Sequence, residues 1–209
     1  MPGQAKINET LPSSEDWVKT LAPDGRLAYR AEWLAATEAD QFLTELDQQI
    51  GWQQRHIRLF GRRVMQPRLI AFHADPGVTY SYSGDRLQGS GWPPLLAALI
   101  ERLWRDVGMR FNSVLCNQYR DGNDAMGWHA DDEPELGQSP IIASLSLGAL
   151  RRLRFKPRDG GSRRVVLMPA SGSLLVMSGQ LQRYWLHEVP RMRRIAEPRV
   201  NLTFRQILR

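Results

Sequence analysis

The residues with the clearest chemistry are His129 and Asp131, two positions apart, and a lone histidine far downstream, His187. Side chains two apart on a strand leave the same face, so His129 and Asp131 can grip one ion together. His187 on a neighbouring strand completes a set of two imidazoles and one carboxylate. Such a set suits Fe(II) and leaves coordination positions open, as in non-haem oxygenases. A bare His-x-Asp pair occurs often by chance, so the weight rests on the downstream residues. After His187 comes Arg199-Val-Asn-Leu-Thr-Phe-Arg205. There Arg199, Asn201, Thr203 and Arg205 alternate with Val200, Leu202 and Phe204. This predicts a strand with one polar, basic face and one apolar face. An arginine fork matches a carboxylate at two points, so the polar face suits a dicarboxylate such as 2-oxoglutarate.

Other elements must position these groups. Residues 37–50 predict a helix, capped by Thr37, acidic in its first turn and stopped by Gly51. Pro93-Pro94 opens a second helix that carries Leu95, Leu96, Leu99, Ile100, Leu103 and Trp104 on one broad stripe and ends at Gly108. Strand-like runs come next, at 113–119, 141–147, 150–156, 165–168, 173–177, 184–189 and 199–207, separated by Gly, Pro and charged turns. Asp159-Gly-Gly reads as a hairpin turn. Many short strands with few helices predict a mainly β fold with flanking helices: a sandwich, a jelly roll or a barrel. Residues 1–35 predict a loosely ordered arm.

The chain has 209 residues, enough for one compact domain. Its net charge is +6, and only three of the 28 basic residues are lysine. Arginine binds phosphate and stacks on bases, so nucleic acid is the expected partner. A general preference for arginine would give the same excess. Cys116 is the only cysteine, which excludes an internal disulfide. No apolar run is long enough to span a bilayer and the start carries no apolar signal segment. The expectation is a cytoplasmic protein with no membrane partner, nucleoid-associated if bacterial and nuclear if eukaryotic.

Several stretches resemble a known family. They are Asn117-Gln-Tyr119-Arg-Asp121-Gly122, Gly127-Trp-His129-Ala-Asp131-Asp132-Glu133, Ser139-Pro140-Ile141 and the run from Arg199 to Arg205. Together they resemble the AlkB family of Fe(II)/2-oxoglutarate nucleic-acid dealkylases, from Leu59 to the C-terminus. Pro67-Arg68, Asp75-Pro-Gly77 and Thr79-Tyr80-Ser-Tyr82-Ser-Gly84 look like that family's nucleotide-recognition region. The branch acting on duplex DNA is the most similar.

The resemblance implies a double-stranded β-helix, or jelly-roll, oxygenase core over 113–209, preceded by helices and the recognition region over 36–112. It implies His129, Asp131 and His187 as iron ligands. Asn117, Tyr119, Arg199, Asn201, Thr203 and Arg205 would bind 2-oxoglutarate, Arg199 taking the far carboxylate. The implied reaction is oxidative demethylation of 1-methyladenine and 3-methylcytosine in DNA, with Fe(II), 2-oxoglutarate and O2, releasing succinate, CO2 and formaldehyde. The base must leave the helix to react. Tyr80 and Tyr82 would hold it, with Asp132 and Glu133 contacting base or backbone and Arg68 in the recognition region. Leu59-Phe60-Gly61-Arg62 resembles the branch's Val-Phe-Gly-Lys finger, which makes Phe60 a wedge in the base stack and Arg62 its charge. The implied partner is alkylated DNA, double- or single-stranded, met by a monomer. The alternatives are the same chemistry on RNA or a protein side chain, and a non-catalytic nucleic-acid-binding module.

Overall fold

Three short strands, β1 (Asn8–Thr10), β2 (Trp17–Leu21) and β3 (Gly25–Arg30), precede the first helix, α1 (Ala36–Gln49). The computed structural model describes residues 8–21, 23–59, 62–82 and 85–208. Within that span, β1 to β3 stand in place of the loose arm expected for residues 1–35. Their apolar residues are too few to announce strands alone. Pairing decides the matter: β3 runs antiparallel along β14 (Leu174–Gly179) with Tyr29 opposite Leu175, and Leu21, Leu27 and Tyr29 are buried there. Helix α1 starts after Ala35, which offers no side-chain cap, so Thr37 lies inside the first turn and does not cap it.

Two hairpins come next, β4 (His56–Leu59) with β5 (Arg62–Met65), and, after β6 (Leu69–Ala74), β7 (Thr79–Tyr82) with β8 (Asp85–Gln88). Helix α2 (Pro94–Val107) begins with proline, whose missing N–H costs nothing there. It ends at Gly108, whose φ of 72° places it in the left-handed region. The remaining strands are β9 (Ser113–Tyr119), β10 (Met126–His129), β11 (Ile142–Gly148), β12 (Leu153–Pro157), β13 (Arg164–Leu167), β15 (Trp185–Val189) and β16 (Arg199–Arg205), with a short helix α3 (Leu181–Tyr184) before β15.

The strands form two main sheets. The larger runs β2-β3-β14-β11-β16-β9-β6 and the smaller β1-β13-β12-β15-β10. This is the mainly β, jelly-roll arrangement. The alternation in β16 explains how the larger sheet is covered on both sides. Val200, Leu202 and Phe204 are buried with Leu46 of α1 and Leu96, Leu99 and Leu103 of α2. Arg199, Asn201, Thr203 and Arg205 face the opposite way, into the space between the sheets. The helices thus brace the outer face, while the inner face is polar along β16 and apolar toward β14 and β3, where Leu27, Tyr29, Leu175 and Met177 pack with Leu153 and Phe155 of the smaller sheet.

Candidate metal centre

β10 and β15 are neighbours in the smaller sheet, and their register sets His129 opposite His187. The two rings lie 4.1 Å apart at a tilt of 52°. β10 ends at His129, so Asp131 lies just beyond the strand, not on it as the spacing alone suggests. It still turns to the same side. His129, Asp131 and His187 each present a ligand atom, and these atoms lie within 4.8 Å of one another.

Burial and hydrogen bonds set the charge state. His129 Nδ1 is 2.8 Å from the carbonyl of Gly127. A carbonyl only accepts, so Nδ1 carries the hydrogen and Nε2 is left with its lone pair. Burial lowers the pKa of His129 and pushes that of His187 down to about 3, with the neighbouring His129 adding to the shift. Both imidazoles are therefore neutral near pH 7. For Asp131, burial works to raise the pKa, but Arg205 and then the two imidazoles outweigh it and hold the carboxyl below the usual carboxylate range. Arg205 Nη2 donates to Asp131 Oδ1 at 2.8 Å, while Oδ2 faces His187 Nε2 at 3.9 Å. One carboxylate oxygen is thus spoken for and the other looks into the site. Two neutral nitrogens and one anionic oxygen fit a divalent iron.

The inner face of the larger sheet supplies a polar cavity beside this centre. It is lined by Asn117, Tyr119, Ser144, Arg199, Asn201 and Thr203, among others. Arg199 is buried; its Nη2 donates to Ser146 Oγ at 2.9 Å and its guanidinium lies 5.4 Å from the Tyr119 ring. Its Nε and Nη1 are buried without a hydrogen-bond partner among the described residues. A buried cation with idle donors is costly unless an anion meets it, so this position fits a carboxylate. Asn201 Nδ2 donates to Ser144 Oγ and Thr203 donates to Asn201. Arg205, placed with the 2-oxoglutarate pocket by resemblance, spends its charge on Asp131. It also lines the cavity, and its Nε is buried without a hydrogen-bond partner among the described residues.

A family model described as the 2OG-Fe(II) oxygenase superfamily matches residues 26–205. The chain belongs to that superfamily. Relatives narrow it further. The Mus musculus protein named DNA oxidative demethylase ALKBH2 is 37% identical over 205 residues, covering 93% of this chain and 85% of the relative. The Homo sapiens protein named alpha-ketoglutarate-dependent dioxygenase alkB homolog 3 is 39% identical over 199 residues, covering 90% and 69%. The chain is accordingly an AlkB-family member and an enzyme that uses Fe(II), 2-oxoglutarate and O2. Two solved structures share the fold. One, titled "The structure of OsALKBH1", has a TM-score of 0.64 at 16% identity, covering 90% of this chain and 99% of that one. The other, a 2OG-Fe(II) oxygenase family oxidoreductase from Burkholderia pseudomallei, has a TM-score of 0.57 at 16% identity, covering 86% and 84%.

The remaining expected AlkB-type substrate residues are less uniform. Tyr80 is fully buried, its ring 5.9 Å from Phe72 in a stacked arrangement and its hydroxyl beside Glu133. In this form it is a core aromatic under the site. Burial raises the Glu133 pKa, with Asp131 adding to it. Asp132 is exposed and its carboxylate pairs with Arg158 at 2.6 Å. Arg68 is buried, with Nε donating to Asn117 Oδ1 at 2.8 Å. Its guanidinium therefore supports the cavity wall. Phe60 and the side chains of Arg62 and Tyr82 lie outside the described residues.

Sequence reasoning missed several supports. Ser144 and Ser146 alternate with apolar residues in β11 and were legible by the same period-two rule that picked out Arg199. Gln182 had no such signal; its Oε1 accepts from the backbone N–H of Asp131 at 3.0 Å. Arg151 had none either. It is buried and donates to the carbonyls of Asp121, Asp124 and Pro190, clamping the loop between β9 and β10.

Proposed function

We propose that this enzyme oxidatively removes methyl groups from N-alkylated bases in DNA, with 1-methyladenine and 3-methylcytosine as the lesions. The observation that carries the reading is the 37% identity across 205 residues to a relative named as a DNA oxidative demethylase. The site is consistent with it. His129, Asp131 and His187 would hold Fe(II), and Arg199 would take the far carboxylate of 2-oxoglutarate with the two donors it keeps idle. Iron, with 2-oxoglutarate and O2, supplies the oxidising power. The protein's residues supply the rest. Arg205 keeps Asp131 ionised, Gly127 fixes the His129 tautomer, and Gln182 holds the Asp131 backbone. The whole set sits in one chain, so no second copy is needed to complete it. No helix among the described residues is long and apolar enough to cross a membrane. A DNA substrate would place the enzyme where DNA is, in the nucleoid or the nucleus.

The test is to incubate the protein with Fe(II), 2-oxoglutarate and methylated oligonucleotides, single- and double-stranded, while following product mass and succinate. Loss of one methyl from the oligonucleotide with matching succinate is expected. A methylated RNA and an N-methyl-lysine peptide run alongside. Turnover of either of these in preference to DNA would overturn the substrate assignment while leaving the dioxygenase intact.

A further inference from the structure

A second cavity, of about 230 Å3, opens at the free edge of β6. It shares no lining residue with the cavity at the metal centre. Gln53, Arg55, Phe72, His73, Arg86 and Gln88 line it, and no carboxylate does. It lies where the segment leading into β4 meets β8, so it sits between the roots of the two hairpins. Its floor is a gap in the sheet edge. Ile70 exchanges both backbone hydrogen bonds with Gln53, and Ala74 accepts from the N–H of Gly91. By the alternation of an antiparallel ladder, the N–H and C=O of Phe72 point to the same edge between these two bridges. No backbone partner meets them there among the described residues.

The charge in this gap is unspent. Among the described residues, Arg55 donates only to Gln53 Oε1, at 3.1 Å from Nε and 2.8 Å from Nη2, and Arg86 makes one long contact, 3.4 Å, to Thr79 Oγ1. Neither has a carboxylate within ion-pair distance among the described residues. The Nε2 of His73 is buried without a hydrogen-bond partner among them. Two guanidinium groups with no carboxylate partner among the described residues, beside the unpaired N–H of Phe72, make a pocket for an oxyanion. The pocket is also tied to the metal centre. Phe72 stacks on Tyr80, the Arg205 guanidinium lies 5.7 Å from the Tyr80 ring, and Arg205 holds Asp131.

We propose that this cavity binds a backbone phosphate of the nucleic-acid strand whose modified base enters the metal centre, with Arg55 and Arg86 as its cationic ligands. The proposal rests on nucleic acid being the substrate. It adds a fixed anchor on the recognition side, so that strand position is set before the base reaches the iron.

The test uses the full chain loaded with Fe(II) without oxygen, binding a short methylated single-stranded oligonucleotide over a range of salt. The Arg55→Gln/Arg86→Gln variant is expected to bind at least roughly tenfold more weakly at low salt, since both charge-assisted contacts are lost. The slope of log affinity against log salt is expected to flatten by about 0.7, one phosphate's worth for a single strand. The Arg55→Lys/Arg86→Lys variant keeps the charge and is expected to keep most of the wild-type slope, which separates a lost contact from a damaged fold. Turnover of methylated nucleoside, which has no phosphate, should match wild type. A wild-type slope and affinity in the glutamine variant would overturn the phosphate site. Failure of the wild type to demethylate oligonucleotides that it binds would instead strike the proposed reaction.

Discussion

At the scale of single residues, the site depends on opposed charges held in a buried place. Asp131 is buried and still ionised because Arg205 lies 2.8 Å away. The imidazoles, His187 buried and His129 half-buried, stay neutral because loss of solvent outweighs the pull of Asp131. That division gives a metal one anionic and two neutral donors without first displacing protons. His129→Ala, Asp131→Ala and His187→Ala are each expected to abolish turnover and lower bound iron. Near-normal activity with full iron in any one of them would remove that residue from the centre. Arg199 makes a separate prediction. Arg199→Ala should raise the 2-oxoglutarate requirement about ten- to a hundredfold, the loss of one charge-assisted pair, while iron content stays near wild type. Titration of 2-oxoglutarate at fixed methylated DNA measures it, and an unchanged requirement would place the far carboxylate elsewhere. These residues were legible because two simple periods carried them: His-x-Asp, and the alternation from Arg199 to Arg205. Arg205's pairing with Asp131 was not legible, because it joins residues 74 apart across two sheets.

At the scale of elements, the strands that wall the cavity announced themselves, whereas β10, which carries His129, and strands that exist only through partners did not. β16 alternates plainly and β9 is a β-like apolar run ending in Asn117 and Tyr119, and both were placed within two residues of their ends. β1, β2 and β3 were missed because pairing with β13 and β14 makes them strands, not local composition. Arg151 shows a similar limit. It is one of many arginines in the sequence, yet it is buried and bonded to three carbonyls, two in the loop before β10 and one, that of Pro190, just after β15. Arg151→Leu would leave those carbonyls unmet and should cost about 2–5 kcal/mol, read from denaturant unfolding. Iron binding should weaken with it, because His129 lies just past that loop. A variant as stable as wild type would mean water replaces the guanidinium freely. The hairpin of β4 and β5 makes a different kind of prediction. Leu59 pairs with Arg62, and Phe60 and Gly61 between them lie outside the described residues. If Phe60 wedges into a base stack, it matters only where a stack must be opened. Phe60→Ala should therefore reduce repair of a methylated duplex far more than repair of the same lesion in a single strand. Equal losses on both, with a lower melting temperature, would assign Phe60 to packing and remove the preference for duplex DNA.

At the scale of the whole molecule, the metal centre is also a weak point of the fold when no metal is bound. The two imidazoles sit between sheets whose packing forces them to stay neutral. An unfolded chain has no such constraint, so its histidines take up protons below their ordinary pKa of about 6.5. The folded chain does not take them up until near the depressed value, about 3 for His187. Between these limits the unfolded state binds more protons, and stability falls as the pH falls. Each such histidine contributes a loss of about 1.4 kcal/mol per pH unit below 6.5. His73, lowered by burial as well, adds to the same trend. Asp131 acts in the same direction at lower pH, since its carboxyl is held below the usual range. Glu133 opposes it, because burial raises its pKa and acidification relieves that cost. Asp131 titrates below the range where the imidazole effect begins, and Glu133, raised by burial, can only offset part of the histidine loss, so the fall from pH 6.5 to 5.5 belongs to the histidines. Denaturant midpoints of the metal-free protein should hold level from pH 8 to near 7 and then drop steadily toward pH 5.5. His187→Gln removes one proton-linked group and should flatten that drop by roughly one proton's slope. A divalent metal should raise the midpoint and steepen the acid loss, since protons then compete with the ion for the same nitrogens. A midpoint that stays level down to pH 5.5 in the metal-free protein would mean that the imidazoles are already protonated or open to solvent. The neutral, ready-made ligand set would then have to be abandoned.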